Sequence, residues 1–246
     1  MNTSTIARVT KLTSLFLREQ LREPISLLWT LISPSALFYL ITYTNAPFGS
    51  GSDNYLHATA GFHAYIATTV AFFGVAFYII GRRESGFVRS FIYSAEAKNI
   101  FLASHLICCF LTASLYCVAF YLITKPGFGE YSLSEMTLIL YRFLTCFIIF
   151  CSPALLLANR RLKFQTANTV ISIIIFALIL LALLSTRVQS PALDIVNRLN
   201  LFLLSKNIMA GHYQALPFML SFIGVLLVTF VYTARKLKIN PVWSRY

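Results

Sequence analysis

The chain has 246 residues, 58% of them hydrophobic and only 11% charged, with a mean hydropathy of +0.73. A soluble fold of that composition has too little polar surface to cover itself, so the sequence reads as an integral membrane protein. The net charge of +12 would suggest nucleic acid in a soluble protein, but here the basic residues cluster between apolar runs, where they act as topology signals and imply no nucleic-acid partner.

Met1 to Pro24 lacks the long apolar core of a cleaved signal peptide. Ile6, Val9, Leu12, Phe16 and Leu17 recur at helical spacing with Arg8, Lys11, Arg18 and Arg22 off that face, which predicts a helix lying on the inner membrane surface against lipid. Pro24 disfavours helix at Glu23 and ends it. Ile25 to Thr44 then reads as the first span, with Trp29 near its inner boundary. Ser26, Thr30 and Ser33 form a small polar stripe on it, of the kind that either lines a path or packs helices.

Asn45 to Thr59 has no Lys or Arg and is rich in Gly, Ser and Asn, as an external turn would be. Ala60 to Ile80 is the second predicted span, with His63, Ala67, Ala71, Gly74 and Tyr78 on one face. Gly81 to Asn99 is the longest charged interruption between apolar runs. It keeps helical spacing, with Phe87, Val88, Phe91, Ile92 and Ala95 on one face and Arg83, Arg89 and Glu96 on others, and so predicts an amphipathic docking helix over about 82–98.

Ile100 to Ile123 is the third predicted span and Lys125 to Thr137 an external turn carrying Pro126, Gly127 and Gly129. Leu138 to Ala158 is the fourth, in which Arg142 is expected to reach outward on its long stem. Arg160, Arg161 and Lys163 form an internal turn, followed by the uniformly apolar span Ala167 to Leu184. About 186–215 is an external segment whose apolar stretch is too short to cross roughly 30 Å of hydrocarbon, which predicts short helices that dip in and return. Pro217 to Ala234 is the sixth span, and a basic tail follows.

The expected inner segments hold fifteen of the twenty Lys and Arg residues, which places both termini in the cytoplasm. All five cysteines, at 108, 109, 117, 146 and 151, lie in apolar runs with no disulfide framework or zinc-ligand pattern. His105, Cys108 and Cys109 read as packing residues. None of the six spans contains Asp or Glu, which argues against a proton- or sodium-coupled carrier. The chain lacks GxxxxGK[ST], HExxH and GxSxG, and six spans leave no room for a nucleotide-binding domain, so neither ATP hydrolysis nor intramembrane enzyme chemistry is expected of it.

In this order of elements the chain resembles the permease subunits of type-2 ABC exporters. The residues that carry the resemblance are Arg22-Glu23-Pro24 before the first span and Glu84-Ser85-Gly86 opening the internal helix, together with external helices before the last span. Two departures stand out: Ala95 where a proline often ends the internal helix, and Ser104-His105 where a Gly-Lys pair often follows.

The resemblance implies one all-α transmembrane domain over 1–246, with six spans, an N-terminal interfacial helix, a cytoplasmic coupling helix and short external re-entrant helices. It also implies two partner ATPase subunits holding ATP and magnesium, no cofactor on this chain, and a second permease forming a homodimer through the first and fifth spans. The setting would be the bacterial cytoplasmic (inner) membrane, with lipids as further partners. Arg83, Glu84, Gly86, Phe87, Arg89, Phe91 and Ile92 would couple to the ATPase, and Thr30, Ser33, Tyr39, His63 and Thr68 would line the substrate path. With 22 Phe and 13 Tyr against two Trp, the expected cargo is an amphipathic natural product, peptide or drug. A glycan exporter of the same family, and outside it an ATP-independent channel or carrier, are the alternatives.

Overall fold

A computed structural model of the chain describes residues 3–45, 52–184, 196–237 and 240–242, and these are helical with short connections. Helix α1 (Thr3–Leu21) stops before Pro24. Helix α2 follows as Pro24–Leu27, a π-helical turn over Leu28–Ile32, and Ser33–Asn45. Helix α3 is likewise continuous through Ser52–Thr69, a π-helical stretch Val70–Phe77, and Tyr78–Glu84. A short helix α4 (Phe87–Phe91) leads to α5 (Ala95–Thr124), α6 (Leu133–Ala158), α7 (Phe164–Leu184), α8 (Leu201–Ala210) and α9 (Ala215–Lys236).

Local chemistry accounts for several of these boundaries. Ser94 starts α5, its hydroxyl accepting from the Ala97 N–H at 3.1 Å, and Asn200 starts α8 by accepting from Phe202 and Leu203. Gly211, at φ +89°, ends α8 in the left-handed conformation that glycine adopts without a Cβ clash. Helices α5 and α6 begin before the expected spans at Ile100 and Leu138. Among the described residues, five helical stretches are long and apolar enough to cross a membrane: Tyr55–Glu84, Ala95–Gly127, Leu133–Ala158, Phe164–Leu184 and Ala215–Lys236. Helix α2 contributes a shorter apolar run, Leu28–Thr42.

Helices α3 and α6 are central, with 72% and 67% of their apolar windows buried, whereas α7 and α9 are peripheral at 22% and 11%. Helix α6 packs against α3, α5, α8 and α9, and α2 packs against α3 and α5. Helix α1 packs along α5 with Val9, Thr13, Phe16 and Gln20 buried. Polar pairs fix that contact: Thr13 donates to the Ser104 backbone carbonyl at 3.3 Å, Ser104 donates to the Val9 backbone carbonyl at 3.2 Å, and the Gln20 side-chain oxygen Oε1 accepts from the Thr112 hydroxyl at 3.1 Å. Ile6, Leu15, Leu21 and the basic residues of α1 remain exposed, and a groove of about 980 Å³ runs past Lys11, Arg18 and Arg22 on that outer face.

Candidate functional site: the turn after α3

The segment expected as one helix over 82–98 is divided into three pieces. Helix α3 runs on through Glu84, and the chain then reverses at Gly86, whose φ of +78° ends the helix. Only Phe87–Phe91 forms the separate helix α4, because Ile92 is extended and Ser94 caps α5. The expected apolar face is also divided. Val88 and Ile92 are buried in the protein, Phe87 and Phe91 are half-buried with their rings stacked at 5.7 Å, and Ala95 is exposed. Arg89, Ser90, Tyr93 and Ser94 face outward, and Tyr93 is 85% exposed.

The charged residues before the turn hold it in place. Arg83 is only 1% exposed, and its guanidinium donates to the carbonyls of Ala158 (3.3 Å), Arg160 (2.9 Å) and Leu162 (2.7 Å). A planar fork of donors thereby satisfies the carboxyl end of α6 and the turn after it. Glu84 accepts from Arg83 Nε at 3.2 Å and from the Val242 N–H at 3.0 Å, so it anchors the C-terminal segment to the same place.

Arg82 points the other way, pairing with Glu19 of α1 and with the Tyr78 hydroxyl. Its guanidinium lies 4.6 Å from the Phe87 ring centroid and 4.8 Å from that of Tyr78. One arginine therefore links α1, α3 and α4. Tyr78 in turn stacks on His105 at 4.5 Å, and His105 Nε2 lies 2.8 Å from the Gly74 carbonyl. Gly74 is inside the π-helical stretch, and the imidazole meets its carbonyl there.

The residues expected along a substrate path stand on two helices, α2 and α3. Thr30 is buried and Ser33 half-buried on α2, where Tyr39 donates its hydroxyl to the Ile123 carbonyl. His63 and Thr68 are fully buried on α3. Thr68 donates to the Ala64 carbonyl at 2.7 Å, and the His63 ring lies edge-on to Phe120 at 4.9 Å with Nδ1 at 3.1 Å from the Thr59 carbonyl.

Arg142 donates to the Met209 carbonyl at 3.1 Å, at the carboxyl end of α8 and within the segment expected to be external. Of the expected external segment, residues 185–195 lie outside the described residues. The described part forms one turn near Val196 and then α8, packed against α3, α6 and α7. Among the described residues no three His, Cys, Asp or Glu side chains converge as metal ligands.

Compared with known proteins, the chain is 27% identical over 235 residues to Protein McbE of Escherichia coli, an alignment that covers 95% of this chain and 98% of that protein. No family model matches the chain, and no solved structure matches it.

Proposed function

We propose that the chain is the membrane-spanning subunit of an ATP-driven type-2 ABC exporter that moves an amphipathic molecule out of the cytoplasm or inner leaflet. The observation that carries this reading is the inner turn: a five-residue helix offered at the end of two long membrane helices, with Arg89, Ser90 and Tyr93 outward and its root fixed to α1 and α6. Rigid elements that present exposed side chains on a loop suit docking to a partner. In this reading α2 is the sixth span. Arg83, Glu84, Gly86 and Ile92 shape the turn, while Arg89, with the open edges of Phe87 and Phe91, meets the ATPase. ATP and magnesium bind in that partner.

Exposed apolar side chains on α2 (Ile25, Trp29, Leu40) and α7 (Ile173, Phe176, Leu183) support a second permease, a homodimer partner, at those helices. The path then lies between the two copies, with Ser33 and Tyr39 of α2 nearest to it. The basic outer face of α1 suits lipid headgroups of the bacterial inner membrane. Full-length similarity to Protein McbE is compatible with all of this, although that name states no activity. The test is purification of a tagged chain from native membranes: a stoichiometric ATPase subunit is expected with it. Transport by the chain alone in vesicles under an ion gradient would overturn the reading.

A further inference from the structure

The chain has four histidines, and two of them, His63 and His105, are buried. The other two, His57 and His212, are exposed, and they face each other with ring centroids 5.3 Å apart and planes inclined at 47°. They come from different elements. His57 stands in the second turn of α3, and His212 follows the Gly211 cap of α8, its own N–H donating to the Asn207 carbonyl at 3.0 Å. Arg142, bonded to the Met209 carbonyl, lies under Gly211 and braces the same turn. Both imidazoles are thus carried on fixed backbone rather than on a free loop.

We propose that His57 and His212 form a chelate for a divalent transition metal ion of the zinc class. Two imidazole nitrogens at about 2.0–2.1 Å from one ion, at a tetrahedral angle, set the ring centroids about 5.2 Å apart. The observed centroid separation of 5.3 Å is of that size. Imidazole is a preferred ligand for Zn2+, Cu2+ and Ni2+. Since no third protein ligand converges among the described residues and both rings are exposed, water completes the coordination. The ion is therefore exchangeable, and it bridges the start of α3 to the α8–α9 turn.

The test uses the untagged full-length chain in detergent, stripped with a chelator and titrated with Zn2+. Its cysteines do not compete at the surface, because all five are buried. One ion per chain is expected to bind with a Kd tighter than about 0.1 mM. His57→Ala and His212→Ala should each weaken binding at least about tenfold, and the double variant should add little to either, because both ligands belong to one site. Zn2+ should raise the thermal unfolding midpoint of the wild type and of neither variant. That readout also verifies that the variants are folded. No binding in that range, binding insensitive to either substitution, or loss with only one of the two would overturn the chelate.

Discussion

Arg83 ties the turn after α3 to the carboxyl end of α6. Replacing it with Ala leaves three carbonyl acceptors without their donor, and a lost buried charged hydrogen-bonding group of this kind costs about 2–3 kcal/mol. Arg83→Lys should recover little of that, since a single ammonium cannot reproduce the fork. Thermal unfolding in detergent checks both variants, and unchanged midpoints would show that the site tolerates the loss. The Glu19–Arg82 pair is partly exposed and belongs to the class of ion pairs worth about 0–1 kcal/mol. Arg82 also faces the rings of Phe16, Tyr78 and Phe87. Arg82→Ala should therefore destabilise more than Glu19→Gln in the same assay, and equal effects would mean that the rings add nothing.

These roles were unevenly legible in the sequence. Ser104 and His105 stood out as departures from a family pattern, yet their partners, the carbonyls of Val9 and Gly74, are distant in the chain. No spacing rule links them. The His105 partner also depends on the π-helical stretch 70–77, which hydrophobic periodicity does not reveal.

At the level of elements, the turn after α3 is set by one backbone conformation. Gly86 sits at φ +78° with open space where a Cβ would go, so Gly86→Ala is opposed by backbone strain and not by a clash, at about 1 kcal/mol. Gly86→Asn should be milder, because Asn tolerates the left-handed region. Unfolding midpoints of the two variants test this, and an unaffected Ala variant would contradict it. The sequence marks Gly86 as a break, but helical spacing continues through it, and that concealed the division into α3, α4 and α5. The position of α1 was hidden for a related reason. Thr13 and Gln20 read as polar, whereas they lie on its buried face as partners for α5.

At the scale of the whole molecule, the membrane class and the long helices were plain from composition, because hydropathy alone reports what must avoid water. Helix-to-helix pairing was not, since apolar side chains dominate both the faces that meet protein and those that meet lipid. Topology remains a matter of charge distribution, and it can be measured. In a cysteine-less background, Ser52→Cys and Ser190→Cys should react with an impermeant reagent added to intact cells, and Ser90→Cys should not. Reaction at Ser90→Cys would invert the assignment of sides.

The claim that the α4 turn docks an ATPase is tested most directly by co-isolation of that subunit with the wild type and with an Arg89→Asp/Tyr93→Asp variant, at matched membrane abundance. Both side chains are exposed, so the substitutions should leave the fold intact, while charge reversal and loss of an aromatic anchor at a docking centre cost about 2 kcal/mol or more. Stoichiometric ATPase on the wild type and at least about tenfold less on the variant is the expected result. Equal recovery on both, or no ATPase on either, would contradict it.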